Sequence, residues 1–199
     1  ENLLDAFTLS EQDDTKYQAD TANHAVSVNN ADEHTVYFNG VALDKDATYT
    51  YEFTFRTTSV SNAPQFRFPI RAQDPQNGQW LSLWPELNQV RLSTDYWSNN
   101  NASAGSFTFA AETDYRFKIV SEPQKVSIYI NDALVHEAAF ASAYTDGKLG
   151  FGGYNLPAYT LKNLSLTKQG GDEPAGDNLL KGFSLTWDAH DKYSIDAAT

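Results

Sequence analysis

The chain has 199 residues, 26 acidic against 14 basic side chains, a net charge of −12, and neither cysteine nor methionine. This composition excludes disulfides, thiolate metal sites and cysteine nucleophiles. It also argues against nucleic acid or an anionic membrane surface as a partner, because neutralising phosphates needs clustered Lys and Arg. No apolar run approaches the roughly 18 residues of a spanning helix, so no membrane insertion is expected. A basic region followed by an apolar stretch is missing at the N-terminus, and any signal peptide is expected to lie outside this sequence.

Residues 1–21 hold an apolar cluster, Leu3, Leu4, Phe7 and Leu9, and then a polar, acidic loop. The same text returns near the C-terminus. Asp177–Thr199 aligns without a gap to Glu1–Asn23, with identity at Asn2/Asn178, Leu3/Leu179, Leu4/Leu180, Phe7/Phe183, Leu9/Leu185, Lys16/Lys192, Tyr17/Tyr193, Asp20/Asp196 and Ala22/Ala198. A repeat at that spacing is a whole domain, not a solenoid unit. The expected organisation is a module over residues 1–168, an acidic Gly/Pro linker over 169–176, and the start of a second tandem copy over 177–199. Neighbouring copies of the module are then expected partners within a longer array.

Residues 24–39 predict two short strands about Asn29-Asn30. Thr48–Thr57 is a strong strand, with Tyr49, Tyr51, Phe53 and Phe55 on the expected inner face. A three-strand meander follows: Phe66–Arg71, Trp80–Trp84 and Val90–Ser93, joined by the turns at 74–78 and 85–88. Its alternation puts Phe66, Phe68, Ile70, Leu81, Leu83, Val90 and Leu92 on one face, and Arg67, Arg71, Trp80, Ser82, Trp84, Arg91 and Ser93 on the other. Two Trp and three Arg are unusual on a solvated face. Either that face receives a ligand, or a loop or second sheet covers the Trp side chains and makes them core. Pro69 adds the expectation of an edge strand or a bulge. Residues 96–105 read as a polar loop led by Tyr96 and Trp97, and Phe107–Phe109 as a short strand. Strands over 114–120 and 125–130, an Asn131-Asp132 hairpin turn, a strand over 134–140, the Gly-rich 146–154 and a strand over 158–167 complete the module. No amphipathic helix is apparent. About a dozen short strands with regular turns predict an all-β fold, a two-sheet antiparallel β-sandwich.

The second half carries Tyr115-Arg-Phe-Lys-Ile-Val120, Val126-Ser-Ile-Tyr-Ile-Asn-Asp132, Gly147-Lys-Leu-Gly-Phe-Gly152 and Tyr159-Thr-Leu-Lys-Asn163-Leu-Ser-Leu166. In this order they resemble the concanavalin A-like and laminin-G-like jelly rolls, particularly bacterial carbohydrate-binding modules of the family 66 type. The resemblance spans about residues 25–168 and implies a jelly-roll fold more strongly than any ligand, since its motifs are mostly turn and core positions.

Such folds bind glycans with aromatic rings against apolar sugar faces and with Arg, carboxylate and amide groups on the hydroxyls. The candidate ligand-binding residues are Arg67, Arg71, Asp74, Trp80, Trp84, Arg91, Tyr96, Trp97, Tyr154 and Asn155. Catalysis has less support. The Glu-x-Asp-x-Glu strand of retaining jelly-roll glucanases is missing, and His24, His34 and His136 lack zinc spacing. The acidic turns Asp13-Asp14 and Asp44-Lys45-Asp46 offer oxygens for Ca²⁺, but without EF-hand spacing, so no cofactor is expected. The expected function is a noncatalytic, lectin-like module that binds a polysaccharide or glycan in a secreted or cell-surface bacterial protein. The alternative is a structural or adhesive repeat of a surface stalk without a sugar ligand.

Overall fold

A computed structural model describes residues 1–5, 7–10, 16–29, 31–98, 102–144 and 147–169, excluding the side chains of 31 and 32. Linker residues 170–176, the repeat segment 177–199 and Asp13-Asp14 lie outside the described residues, while Gln169, read as the first linker residue, ends the last strand.

Alternation in Thr48–Thr57 acts as expected: Tyr49, Tyr51, Phe53 and Phe55 are buried while Glu52 is exposed. The strands are β1 (Thr8–Leu9), β2 (Tyr17–Asp20), β3 (Ala25–Val28), β4 (Ala31–Asn39), β5 (Thr48–Thr57), β6 (Gln65–Pro69) and β7 (Trp80–Trp84). They continue as β8 (Gln89–Ser93), β9 (Ser103–Ser106), β10 (Tyr115–Glu122), β11 (Lys125–Ile130), β12 (Ala133–Ala139), β13 (Gly150–Leu156) and β14 (Tyr159–Gln169). They form two seven-stranded antiparallel sheets: β1-β4-β13-β6-β7-β8-β9, the first, and β12-β11-β10-β5-β14-β3-β2, the second. The protein is an all-β jelly-roll sandwich. Among the described residues no helix is long and apolar enough to cross a membrane.

The inner faces meet in an aromatic layer. Phe53 stacks on Phe117 at 5.1 Å and on Phe68 at 5.2 Å, and Phe55 meets Phe66 edge-on at 4.9 Å. These contacts join β5 and β10 of the second sheet to β6 of the first, with the geometry that ring quadrupoles favour. At one end of the sandwich, fully buried Arg71 ties the sheets through polar bonds. Its guanidinium donates to the carbonyls of Asp44, Ala47 and Ser121 and to the Ser121 hydroxyl, which in turn donates to Gln79.

Four local expectations change. Pro69 does not mark an edge: it ends β6, an interior strand, beyond Arg67, the last residue paired with β13, where no donor is required. Phe107–Phe109 is irregular, and Phe107 and Phe109 instead pack on Tyr115 at the sandwich end. The polar loop after Tyr96 contains β9, whose Gly105 lies so close to Val135 O that a Cβ would approach to 2.5 Å. β2 lies in the stretch read as acidic loop. The hairpin turn holds, with Asn131 and Asp132 both at positive φ as a tight hairpin requires.

The N-terminal segment closes an exposed edge. β3 pairs with only Tyr159–Leu161 of the long β14, and beyond the Leu164 N–H, which donates to His24 O, the backbone is left open on that side. Asn2 fills it: its Oδ1 accepts from Leu166 N at 2.9 Å and Leu4 N at 3.0 Å, its Nδ2 donates to Leu164 O, and Leu3 N donates to Leu166 O. Leu4, Phe7, Leu9 and Tyr17 are buried behind this strap. Replacing Asn2 with Ala strands three backbone groups and is expected to cost about 2 kcal/mol, a fall of about 4–8 °C in Tm; a calorimetric scan that leaves Tm unchanged contradicts the strap.

Candidate functional site

The candidate site is the outer face of the first sheet, and register fixes its rows. Glu33 pairs with Tyr154, Tyr154 with Gln65 and Trp84 with Gln89. Gln65 lies beside Trp84, one step beyond the Phe66–Leu83 pair. The adjacent row runs Thr35, Gly152, Arg67, Ser82 and Arg91, and a third pairs Pro69, Trp80 and Ser93. The phase read from the sequence is correct, because Phe66, Phe68, Ile70, Leu81, Leu83, Val90 and Leu92 are all in the core.

Much of this face is nevertheless covered. The segment after β8 folds back, and Tyr96 is its anchor. Its ring meets Trp80 edge-on at 5.5 Å, the Arg67 guanidinium lies 4.1 Å from the ring centroid, its hydroxyl donates to Gly153 O at 3.2 Å, and its backbone N–H donates to Pro75 O. Burial raises the pKa of the Tyr96 hydroxyl, and the nearby Arg67 opposes that rise. Ser98 shares a 2.7 Å hydrogen bond with Ser82, and both are buried.

Two candidates therefore need correction. Trp80 is 0% exposed, packed beneath Tyr96, and Arg71 is 0% exposed in the inter-sheet knot, so neither faces a ligand. Arg67 is 4% exposed, held by Gln65 Oε1 and Tyr96. Asp74 accepts from Gln76 N, Asn77 N and Asn77 Nδ2, bonds that lower its pKa and hold the β6–β7 turn. Asn155 is exposed, with φ of 53°, and its side chain donates to Asn62 O at the β13 end. Trp84 and Arg91 are half-buried and stacked, the guanidinium 3.8 Å from the ring centroid, and burial lowers the Arg91 pKa. Trp97 and Tyr154 are open, at 43% and 49% exposure.

Among the described residues, two concavities lie on this face. One, about 240 Å³, lies between Glu33, Thr35 and Tyr37 of β4 and the Tyr96-Trp97 segment. The other, about 130 Å³, lies between Gln65, Trp84 and Leu87. Gln65, Gln89, Glu33, Thr35 and Tyr37 belong to this face and were absent from the sequence candidates. Gln65-Phe-Arg67 and Gln89-Val-Arg91 repeat one pattern on two strands, and β4 alternates Glu33, Thr35 and Tyr37 against Val36 and Phe38; both signals were present.

Several acidic groups are engaged elsewhere. Glu86 accepts from Ala63 N, Glu112 and Asp114 both bind Arg56, and Asp44 accepts from Asp46 N and Lys168. Among the described residues no cluster of three His, Asp or Glu could hold a metal.

No family model and no curated protein matches the chain. Among solved structures, the carbohydrate-binding module CBM66 from Bacillus subtilis superposes with a TM-score of 0.60 at 15% identity, covering 80% of this chain and 94% of that one. A Bacillus subtilis protein described as having a galectin-like fold gives 0.56 at 14% identity, covering 82% and 89%. The botulinum neurotoxin serotype D binding domain gives 0.58 at 11%, covering 80% and 43%.

Substitution should separate covered from open tryptophans. Trp80→Ala is expected to cost about 3 kcal/mol or more by cavity formation, and Trp97→Ala less than about 0.5 kcal/mol; equal shifts in the urea midpoint contradict this burial. A pH effect arises behind the site. His34 packs 4.9 Å from Tyr17, with no partner for either ring nitrogen among the described residues, and burial, assisted by Lys16, lowers its pKa from 6.5 to about 4. The fold thus favours neutral imidazole, so this stability is complete above about pH 6.5 and declines as pH falls toward about 4. His34→Phe should flatten the change in urea midpoint between pH 7 and 4.5 relative to wild type; parallel profiles exclude His34 as a source. These features together make the chain a jelly-roll sandwich similar in fold to the carbohydrate-binding module CBM66.

Proposed function

We propose that this chain carries a noncatalytic carbohydrate-binding module whose glycan lies on the outer face of the first sheet. The observation that carries the reading is the continuous row Glu33, Tyr154, Gln65, Trp84 and Gln89, exposed at Glu33 and Tyr154 and half-buried at the other three, with exposed Trp97 sharing a concavity with Glu33. It combines open aromatic edges with amides and a carboxylate, the mixed donors and acceptors that sugar hydroxyls need. Supporting it are fold neighbours described as a carbohydrate-binding module and as a neurotoxin whose cell entry depends on interaction with two ganglioside molecules. Residues 177–199 repeat the anchors Asn2, Leu4, Phe7, Leu9 and Tyr17, which supports tandem modules; a secreted or surface-attached bacterial parent is part of this proposal. Multiple weak sites would then act together on a polymer.

A second reading, a structural or adhesive repeat, is favoured by the burial of Trp80 beneath Tyr96, which removes one aromatic from the face. A glycan array with tryptophan fluorescence, on wild type and Trp97→Ala/Tyr154→Ala, separates the two. The expected result is a defined glycan that shifts Trp emission, with at least about tenfold weaker binding by a variant of unchanged Tm. Failure of both proteins to bind across neutral, acidic and branched glycans supports the repeat instead.

A further inference from the structure

Five arginines occur in the sequence, among 26 acidic side chains that could pair with them. Arg56 meets Glu112 and Asp114, and Arg116 meets Asp132. The other three, Arg67 and Arg91 on the outer face of the first sheet and Arg71 between the sheets, make no ion pair with a carboxylate among the described residues. Arg71 is satisfied by carbonyls and a serine inside the knot. Arg67 and Arg91 are treated alike. Each is bonded to the glutamine two residues earlier, Gln65 and Gln89, and each lies against an aromatic ring, Tyr96 and Trp84.

The two sets flank β7. Arg67 and Arg91 lie in one row on either side of Ser82, and Gln65 and Gln89 on either side of Trp84. Arg67 is 4% exposed and its Nε has no hydrogen-bond partner among the described residues. A charge taken out of water without a counter-ion is costly, and an anion is what repays it. A guanidinium held over a ring and by a neighbouring amide has little freedom, and its remaining N–H groups can receive two oxygens of one anionic group.

Building on the sugar-binding face proposed above, we infer that the glycan is anionic, a carboxylated or sulfated sugar whose charged group is received at the half-buried Gln89–Arg91 set beside Trp84, with Arg67, sealed beneath Tyr96, adding positive potential behind it. Glu33, at the far end of the row, gives the site a direction: charged group toward β8, neutral hydroxyls toward β4.

The test is a titration of the full chain against each array hit and its neutral counterpart, prepared by carboxyl reduction or desulfation. Carboxylated and sulfated hits are scored separately, to identify the source of the anion. The anionic form should bind at least tenfold more tightly, and the advantage should shrink several-fold between 0.15 and about 1 M salt as screening lengths fall. Arg91→Gln, a half-buried position expected to leave Tm near wild type, should bring the two forms to within threefold; Arg91→Lys should restore part of the difference. Equal affinity for charged and neutral forms, or a charge preference unchanged in Arg91→Gln, overturns the inference while leaving sugar binding intact. Absence of binding to every glycan overturns both.

Discussion

The position of Tyr96 sets what the outer face of the first sheet can be. One side chain meets Trp80, Trp97, Arg67 and the carbonyl of Gly153, and its backbone reaches Pro75. Its ring edge against the Trp80 indole is a favourable arrangement of quadrupoles, and the guanidinium adds a cation–π contact. Without this residue the meander would present Trp80 and Ser82 to water. With it, the face divides into a sealed centre and an open margin, and only the margin can receive a ligand. The glycines of β13 belong to the same arrangement. A Cβ on Gly152 would lie 2.2 Å from His34 O, and Gly153, at a φ of 144°, would bring one to 2.0 Å from Gln65 O. β4, β13 and β6 therefore approach closely, and Tyr96 reaches across onto β13.

The strap at the other margin bears on organisation. Asn2 and Leu3 bond to Leu164 and Leu166, so the module begins beside the strand with which it ends. An edge left open by the short β3 is a template for another strand, and the chain closes it with its own first residues. The same residue types recur at Asn178, Leu180 and Phe183. Asn2, Leu4 and Phe7 serve core and edge, not the outer face, so the recurrence of these residue types carries no information about a ligand.

The core was legible because it is written in alternation. Period two in β5 and in the meander identified the buried residues, and the Asn131-Asp132 turn follows from the backbone those residues tolerate. Burial of the second face was not legible from alternation, which says that two faces differ without saying what lies over either. Trp80 and Trp84 occupy equivalent positions in the pattern, yet a segment distant from neither in sequence covers the first and leaves the second at the margin. Arg71 was misplaced for a related reason: an arginine at the end of a strand reads as solvent-facing, but the carbonyls that bury it come from Asp44, Ala47 and Ser121. Such partners converge only through the fold. Gln65 and Gln89 were overlooked because glutamine on a strand is ordinary; their common spacing to an arginine becomes meaningful once register sets them on either side of one tryptophan.

That tryptophan also differs from an open stacking platform. Arg91 lies over the Trp84 ring at 3.8 Å, so a sugar ring cannot use that face without displacing it. What the margin offers instead is the edge of a stacked guanidinium, two amides and the exposed parts of Tyr154 and Trp97. Edges carry directional donors, whereas faces offer apolar contact with little discrimination between sugars. An arrangement built on edges favours recognition of substituents on a sugar over recognition of its ring. On the proposed reading, the folded-back segment leaves a margin suited to substituents, and the N-terminal strap that closes the second sheet stands apart from it.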